Sequence, residues 1–158
     1  MIPTRSFHTL ALALLLAGSP LSVHASDASP VADVALAPAV AEAAAVVDAF
    51  SAALKAGRLD EVRQLLSSDV QVYEGGHVEA SRDAYFAGHA AADAAFLATA
   101  EVTREARTGG ASGDTAWVAT RSVIARDGKH HASIETMVLR REAAGWRIVH
   151  IHWSSRAL

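Results

Sequence analysis

Four apolar, β-branched or alternating runs follow one another in the last third of the chain: "TAEVTREAR" (99–107), "TAWVATRSVIARD" (115–127), "HHASIETMVLRRE" (130–142) and "GWRIVHIHWSS" (145–155). Only "TGGASGD", "DGK" and "AAG", all rich in turn-forming or small residues, stand between them. Connections this short cannot carry the crossover that parallel strands need, so the runs predict an antiparallel meander. One face of such a sheet must be covered by the segments that come before it.

Those segments read as helical. In "AVAEAAAVVDAFSAALKAG" (39–57), Val40, Val47, Phe50 and Leu54 recur at helical spacing, Lys55 suits the last turn and Gly57 a C-cap. A shorter helix is expected in "RLDEVRQLLSSD" (58–69), with Leu59, Val62, Leu65 and Leu66 on one face and Ser67-Ser68-Asp69 ending it. "VQVYEGGHVEAS" (70–81) reads as a strand with Val70, Val72 and Glu74 on one side and Gln71 and Tyr73 on the other, broken at Gly75-Gly76. Ser81 can cap a third helix, "RDAYFAGHAAADAAFL" (82–97), on which Tyr85, His89, Ala92 and Phe96 share a face. The order of helices, strand, helix and four strands is α+β, with about three helices packed on one side of a curved sheet.

Ahead of this domain, Arg5, the apolar run "LALALLLAG" (10–18) and the small-x-small "VHA" (23–25) have the pattern of a signal peptide over 1–25, cleaved after Ala25. The apolar run is too short to span a bilayer. Residues 26–40 read as a flexible lead-in and 41–156 as one domain. Cleavage removes Arg5 and no acid, leaving 13 Lys and Arg against 17 Asp and Glu. That balance argues against nucleic acid or an anionic membrane surface as partner. With no cysteine there are no disulfides, thiolate nucleophiles or cysteine-held metals. An exported chain without disulfides fits a periplasmic or secreted protein whose core holds by packing alone.

The "WRIVHIH" run (146–152) and "IETMVLRREAAGW" (134–146) before it resemble the nuclear transport factor two-like superfamily, SnoaL-like group. The tail is similar to the association domain of calcium/calmodulin-dependent kinase II. The resemblance implies a cystatin-like cone with a pocket between helices and sheet; such folds serve isomerases, dehydratases, cyclases, hydrolases and non-enzymatic assembly domains alike. In the association domain, arginines at the positions matching Arg121, Met137 and Trp153 line the pocket, and this chain keeps the first of them. If those three positions face inward, alternation brings Glu135, Leu139, Val149 and Ile151 with them and turns His150 and His152 outward.

Hairpins centred on Gly128 and Ala144 would set Arg121 opposite Glu135 and Glu135 opposite Trp153, making one cross-strand layer. That layer reads either as a structural ion pair under an indole or as a base, Glu135, oriented by Arg121. Tyr73, Tyr85, His89 and Phe96 are the other candidate pocket residues, with His89 a second candidate base. His77 and Glu79 offer nitrogen and oxygen ligands after the glycine pair, a weak pattern without a helical metal motif, and no metal is expected. No phosphate-binding glycine loop, nucleophile elbow or dinucleotide fingerprint occurs, so no cofactor is expected.

Three functions are compatible with this reading. One is a small-molecule-binding protein with a partly apolar pocket. A second is a lyase, isomerase or hydrolase, with Glu135 or His89 as general base and Arg121 or Tyr85 polarising a carbonyl. The third is an assembly module in which the outer sheet face, carrying Ile134, Thr136, Val138, His150 and His152, pairs with its own copy in a homodimer.

Overall fold

The computed structural model describes residues 36–158. The expected signal peptide and most of the lead-in lie outside the described residues. Helix α1 (Pro38–Lys55) starts inside the stretch expected to be lead-in, with Pro38 in the first turn, where its missing N–H has no helical partner to lose. Val40, Ala43, Ala44, Val47, Phe50, Ala53 and Leu54 form its buried stripe. The chain leaves through Gly57 at φ 69°, a left-handed turn that a side chain would oppose.

Next come α2 (Leu59–Leu65), β1 (Leu66–Glu74), β2 (His77–Glu79), α3 (Arg82–Gly88) and α4 (Ala90–Ala98). The meander is β3 (Glu101–Ser112), β4 (Thr115–Arg126), β5 (Lys129–Glu142) and β6 (Gly145–Ala157). All six strands form one sheet in the order β2-β1-β6-β5-β4-β3. It is mixed, because β1 runs parallel to β6 while the other neighbours are antiparallel. α1 packs on β3, β4 and β6, α3 on β1, and α4 on α1. The result is the expected α+β cone: a curved, unclosed sheet with helices on its concave side. No helix among the described residues is long and apolar enough to cross a membrane.

Several elements differ from expectation in informative ways. β1 starts at Leu66, earlier than expected, because Ser67 is not a helix terminator but a buried strand residue bonded to Asp69 and Glu142. "TGGAS" is strand, leaving only Gly113-Asp114 as the turn. Gly109 is there for close approach: a Cβ on it would stand 2.5 Å from Val40 Cγ1 and 2.7 Å from the Trp117 carbonyl oxygen. His77–Glu79 forms a short strand hairpinned to β1, and the third helix breaks at His89 into α3 and α4. The break moves the buried face to Tyr85, Ala90 and Ala94, while Phe96 is left 39% exposed. The expected Tyr85, His89, Ala92 and Phe96 stripe is therefore not one continuous face.

Register decides which side chains enter the cone. The β4–β5 turn is the two-residue Asp127-Gly128, so Thr120 pairs with Glu135 and Arg121 with Ile134. This is one residue away from the expected pairing, and a one-residue slip reverses the face. Arg121 therefore lies on the outer face and pairs with Glu105 at 2.8 Å. Glu135 does face Trp153 as expected. A bulge between Val138 and Leu139 on the β5–β6 ladder sets Leu139 against Ile148, so Ile148, not Val149, is fully buried.

Candidate functional site

One layer of side chains crosses five strands on the concave face. Glu74 of β1 pairs with Trp153 of β6, Trp153 with Glu135 of β5, Glu135 with Thr120 of β4, and Thr120 with Arg107 of β3. Directly paired residues place their Cβ atoms about 5 Å apart, so neighbours in this row can touch. The Trp153 indole Nε1 donates to Glu135 Oε2 at 2.9 Å. The buried Arg107 donates through Nε to Thr120 Oγ1 at 3.1 Å and through Nη1 to Asp48 Oδ1 of α1 at 2.7 Å. Burial raises the Glu135 pKa above 4.5, against the opposing pull of the indole hydrogen bond and of Arg107.

The helical wall supplies a second polar group. His89, where α3 passes into α4, joins its Nδ1 to Glu79 Oε1 of β2. Glu79 is buried and its Oε2 has no protein partner. This contact, and the charge behind it, raise the His89 pKa above 6.5. His77 lies against the same imidazole, with ring centroids 5.5 Å apart. Tyr85 is fully buried and its hydroxyl donates to Asp93 Oδ2 at 2.9 Å. Burial raises the pKa of Asp93, which the tyrosine hydrogen bond opposes, and burial followed by the nearby Asp93 charge raises that of Glu74.

Between these walls lies a cavity of about 1020 Å³. Phe50, Phe96, Leu97, Val102, Ile124 and Trp153 give it apolar surface, and Asp48, Glu74, His89, Asp93, Arg107 and Glu135 bring polar groups to it. Phe50 and Trp153 are stacked, centroids 6.3 Å apart. An aromatic and aliphatic wall with fixed polar groups suits a small organic molecule.

Of the residues expected at the pocket, Glu135, Trp153, His89 and Phe96 line this cavity. Tyr85 stands behind Asp93 and reaches the cavity through it. Met137 faces inward but is fully buried in the core, one layer below Glu135, paired with Val118 and Ile151. Tyr73 points outward, with its ring edge-on to His150 at 5.0 Å. Arg121 is also outside, for the reason of register given above. His150 sits on the outer face as expected; His152 follows it there, at the border of the cavity mouth. Glu79 turns to His89, and no group of three or more metal-ligating side chains converges among the described residues.

Arg107, Thr120, Asp48 and Asp93 were not anticipated. A two-residue turn at Asp127-Gly128, a common hairpin connection, would have put Thr120 and, through it, Arg107 in line with Glu135. Asp48 and Asp93 carry no comparable signal, since both lie on helices whose pattern reports only the apolar stripe.

A SnoaL-like domain profile matches residues 43–157. Among solved structures, a proposed ketosteroid isomerase from Shewanella frigidimarina is 36% identical, with a TM-score of 0.70 over 76% of this chain and 100% of that one. An NTF2-like protein with a cystatin-like fold from Novosphingobium aromaticivorans is 22% identical, with a TM-score of 0.60 over 72% and 79% of the two chains. The CaMKII hub of S. rosetta is 24% identical, with a TM-score of 0.61 over 78% and 100%. No curated protein gives a significant match. The fold, the cavity and the profile spanning the whole sheet agree: the chain belongs to the SnoaL-like domain family, within the NTF2-like superfamily.

Proposed function

We propose that the cone binds a small, partly apolar organic molecule against Trp153 and Glu135. The observation that carries this is the cavity itself: an aromatic wall with a half-buried carboxyl held in place by an indole N–H. Native mass spectrometry of protein taken from its own host tests it. A bound mass released on denaturation is the expected result; Trp153→Ala, which removes the wall, should abolish it. Retention of the same mass by Trp153→Ala would overturn the assignment to this cavity.

A second reading, proton-transfer catalysis, is favoured by the His89–Glu79 pair at the cavity wall. A buried carboxylate behind an imidazole fixes the ring and raises its basicity, as a general base requires. The 36% identical Shewanella protein is described as a proposed ketosteroid isomerase, which is chemistry of the same kind. Exchange of α-protons of carbonyl compounds in deuterated water, lost in His89→Gln, is the measurement that decides it.

The N-terminal pattern of Arg5, the apolar run and Val23–Ala25 supports export to the periplasm or beyond. Fractionation of cells expressing the full chain, with N-terminal sequencing of the mature protein, tests this. A mature chain starting at Ser26 is expected.

A further inference from the structure

Resting on the proton-transfer reading of the cavity, we propose that Asp93 is a second catalytic residue and works opposite His89. His89 Nε2 takes a proton from a substrate carbon beside a carbonyl, while the Asp93 carboxyl gives one to the carbonyl oxygen. Tyr85 is then a positioning residue that acts through Asp93.

The helix brings the two groups together. The Asp93 backbone N–H donates to the His89 carbonyl at 2.9 Å, closing the first turn of α4. Residues four apart on a helix project the same way, with Cβ atoms about 5–6 Å apart. Both side chains line the cavity. Each is held from behind through one polar atom, which leaves the other for a substrate. His89 Nδ1 is joined to the Glu79 carboxylate and carries its proton there, so Nε2 is the basic nitrogen. Asp93 Oδ2 accepts from the Tyr85 hydroxyl at 2.9 Å, so Oδ1 is the open oxygen. Among the described residues, no Lys or Arg nitrogen lies within 4.0 Å of the Asp93 carboxyl.

Charge couples the pair. A proton arriving at His89 adds a positive charge and one leaving Asp93 adds a negative charge, so the half-buried site keeps its net charge through the step. Each transfer also favours the other. Burial raises the Asp93 pKa, whereas the Tyr85 hydrogen bond and the His89 charge lower it, so Asp93 becomes more acidic as His89 is protonated. The Asp93 charge in turn raises the His89 pKa, after the larger effect of Glu79. Glu79 of β2 opposes ionisation of Asp93, and Asp93 opposes that of Glu74 on β1. Tyr85 itself stays a donor: burial, followed by the Asp93 charge, raises its pKa far above the ordinary 10.

The step balances as an enolisation. The C–H bond beside the carbonyl breaks and an N–H bond forms at Nε2. The C–H electron pair becomes the C=C bond, the carbonyl π pair moves to oxygen, and that oxygen takes the Asp93 proton. The reverse step restores the ketone and both residues, with a solvent proton entering through His89.

The test is deuterium uptake by 2-tetralone and phenylacetone, ketones with an apolar aromatic body, followed by mass spectrometry against protein-free controls. The parent should accelerate uptake. Asp93→Asn should lower kcat about a hundredfold or more, with KM changed less than about threefold. Asp93→Glu keeps the acid and should recover part of the loss. Tyr85→Phe keeps the buried ring and should shift the pH–rate profile to higher pH, because the lost hydrogen bond favoured the ionised Asp93. Thermal melting checks the fold of each variant; should Asp93→Asn fail to fold, the Tyr85→Phe profile alone decides. An Asp93→Asn kcat within about threefold of the parent, or a Tyr85→Phe profile that stays in place, overturns the role of Asp93. Loss of uptake in His89→Gln in that same assay leaves the proton-transfer reading standing. A parent no faster than the controls overturns both.

Discussion

Glu135 and Trp153 face each other directly across β5 and β6, and the indole N–H donates to the carboxyl at 2.9 Å. This pair holds a half-buried acid in a fixed position without an opposite charge in contact. Its consequence for stability has a definite sign. Burial raises the folded-state pKa of Glu135 above 4.5, so between that value and the raised one the folded protein binds more protons than the unfolded chain. Its contribution to stability is thus most favourable at low pH and declines as pH rises through the folded pKa.

Glu135→Gln removes that decline. The variant should be more stable than the parent near about pH 8, by up to about 1.4 kcal/mol for each unit of upward shift removed, and should differ little near about pH 4. Urea unfolding across this range measures it. A parent whose advantage grows with pH would show that Glu135 is stabilised as a carboxylate instead.

Trp153→Phe keeps an aromatic ring and deletes only the donor. Glu135 then loses the side chain that bonds it, at a cost of about 1–3 kcal/mol for an unsatisfied buried acceptor. The loss should be larger at pH 8 than at pH 5, because the charged form depends most on the missing hydrogen bond. A pH-independent loss would mean that indole volume, not the hydrogen bond, is what matters.

Much of this architecture is legible in residue patterns, and what is not turns on strand register, strand face and one helix break. The buried stripe of α1 through Val40, Val47, Phe50 and Leu54, the Ser81 cap and the meander are local signals, and each is present. Glu135 faces Trp153 as a hairpin centred on Ala144 predicts, but the turn itself is Ala143-Ala144 and the bulge between Val138 and Leu139 restores the pairing. The resemblance implies an inward Arg121, and a hairpin centred on Gly128 agrees with it; the turn is the Asp127-Gly128 pair, and period-two alternation turns that one-residue difference into the opposite face. Alternation puts Tyr73 on the opposite strand face from Val70 and Val72, and the structure has it outside the pocket, beside His150. The break at His89 left no trace in the helical spacing, because the alanines around it suit a helix in either arrangement.

His89 and Glu79 give a prediction independent of the sheet. The contact raises the His89 pKa, so it stabilises the fold fully below about 6.5, the unfolded value, and that stabilisation is lost as pH rises through the folded pKa. In Glu79→Gln the imidazole titration, followed by the His89 Cε1–H resonance, should move down toward 6.5. If proton transfer is this pair's work, the rising limb of the pH–rate profile should move with it. Movement of the resonance without any change in the rate profile would assign the pair a structural role.

The outer sheet face argues for self-association. Trp117, Tyr73 and Ile134 are 42%, 38% and 45% exposed there, around Thr136, Val138, His150 and His152. A large apolar area on the uncovered side of a sheet is unusual for a monomer, and a twofold dimer covers it with a second copy. We propose such a homodimer. Ile134→Asp should give a monomer by light scattering while the thermal melt of the isolated fold changes little, since Ile134 lies outside the core. The parent dimer should also weaken on acidification: burial, and then His152, lower the His150 pKa below 6.5, so His150 favours the closed face only while neutral. With Tyr73 beside it and no carboxylate paired to it across β1 or β5, a protonated His150 would be buried against its own copy without a counter-charge. A parent that stays monomeric at millimolar concentration, or a dimer indifferent to Ile134→Asp, would remove this face from consideration as the interface.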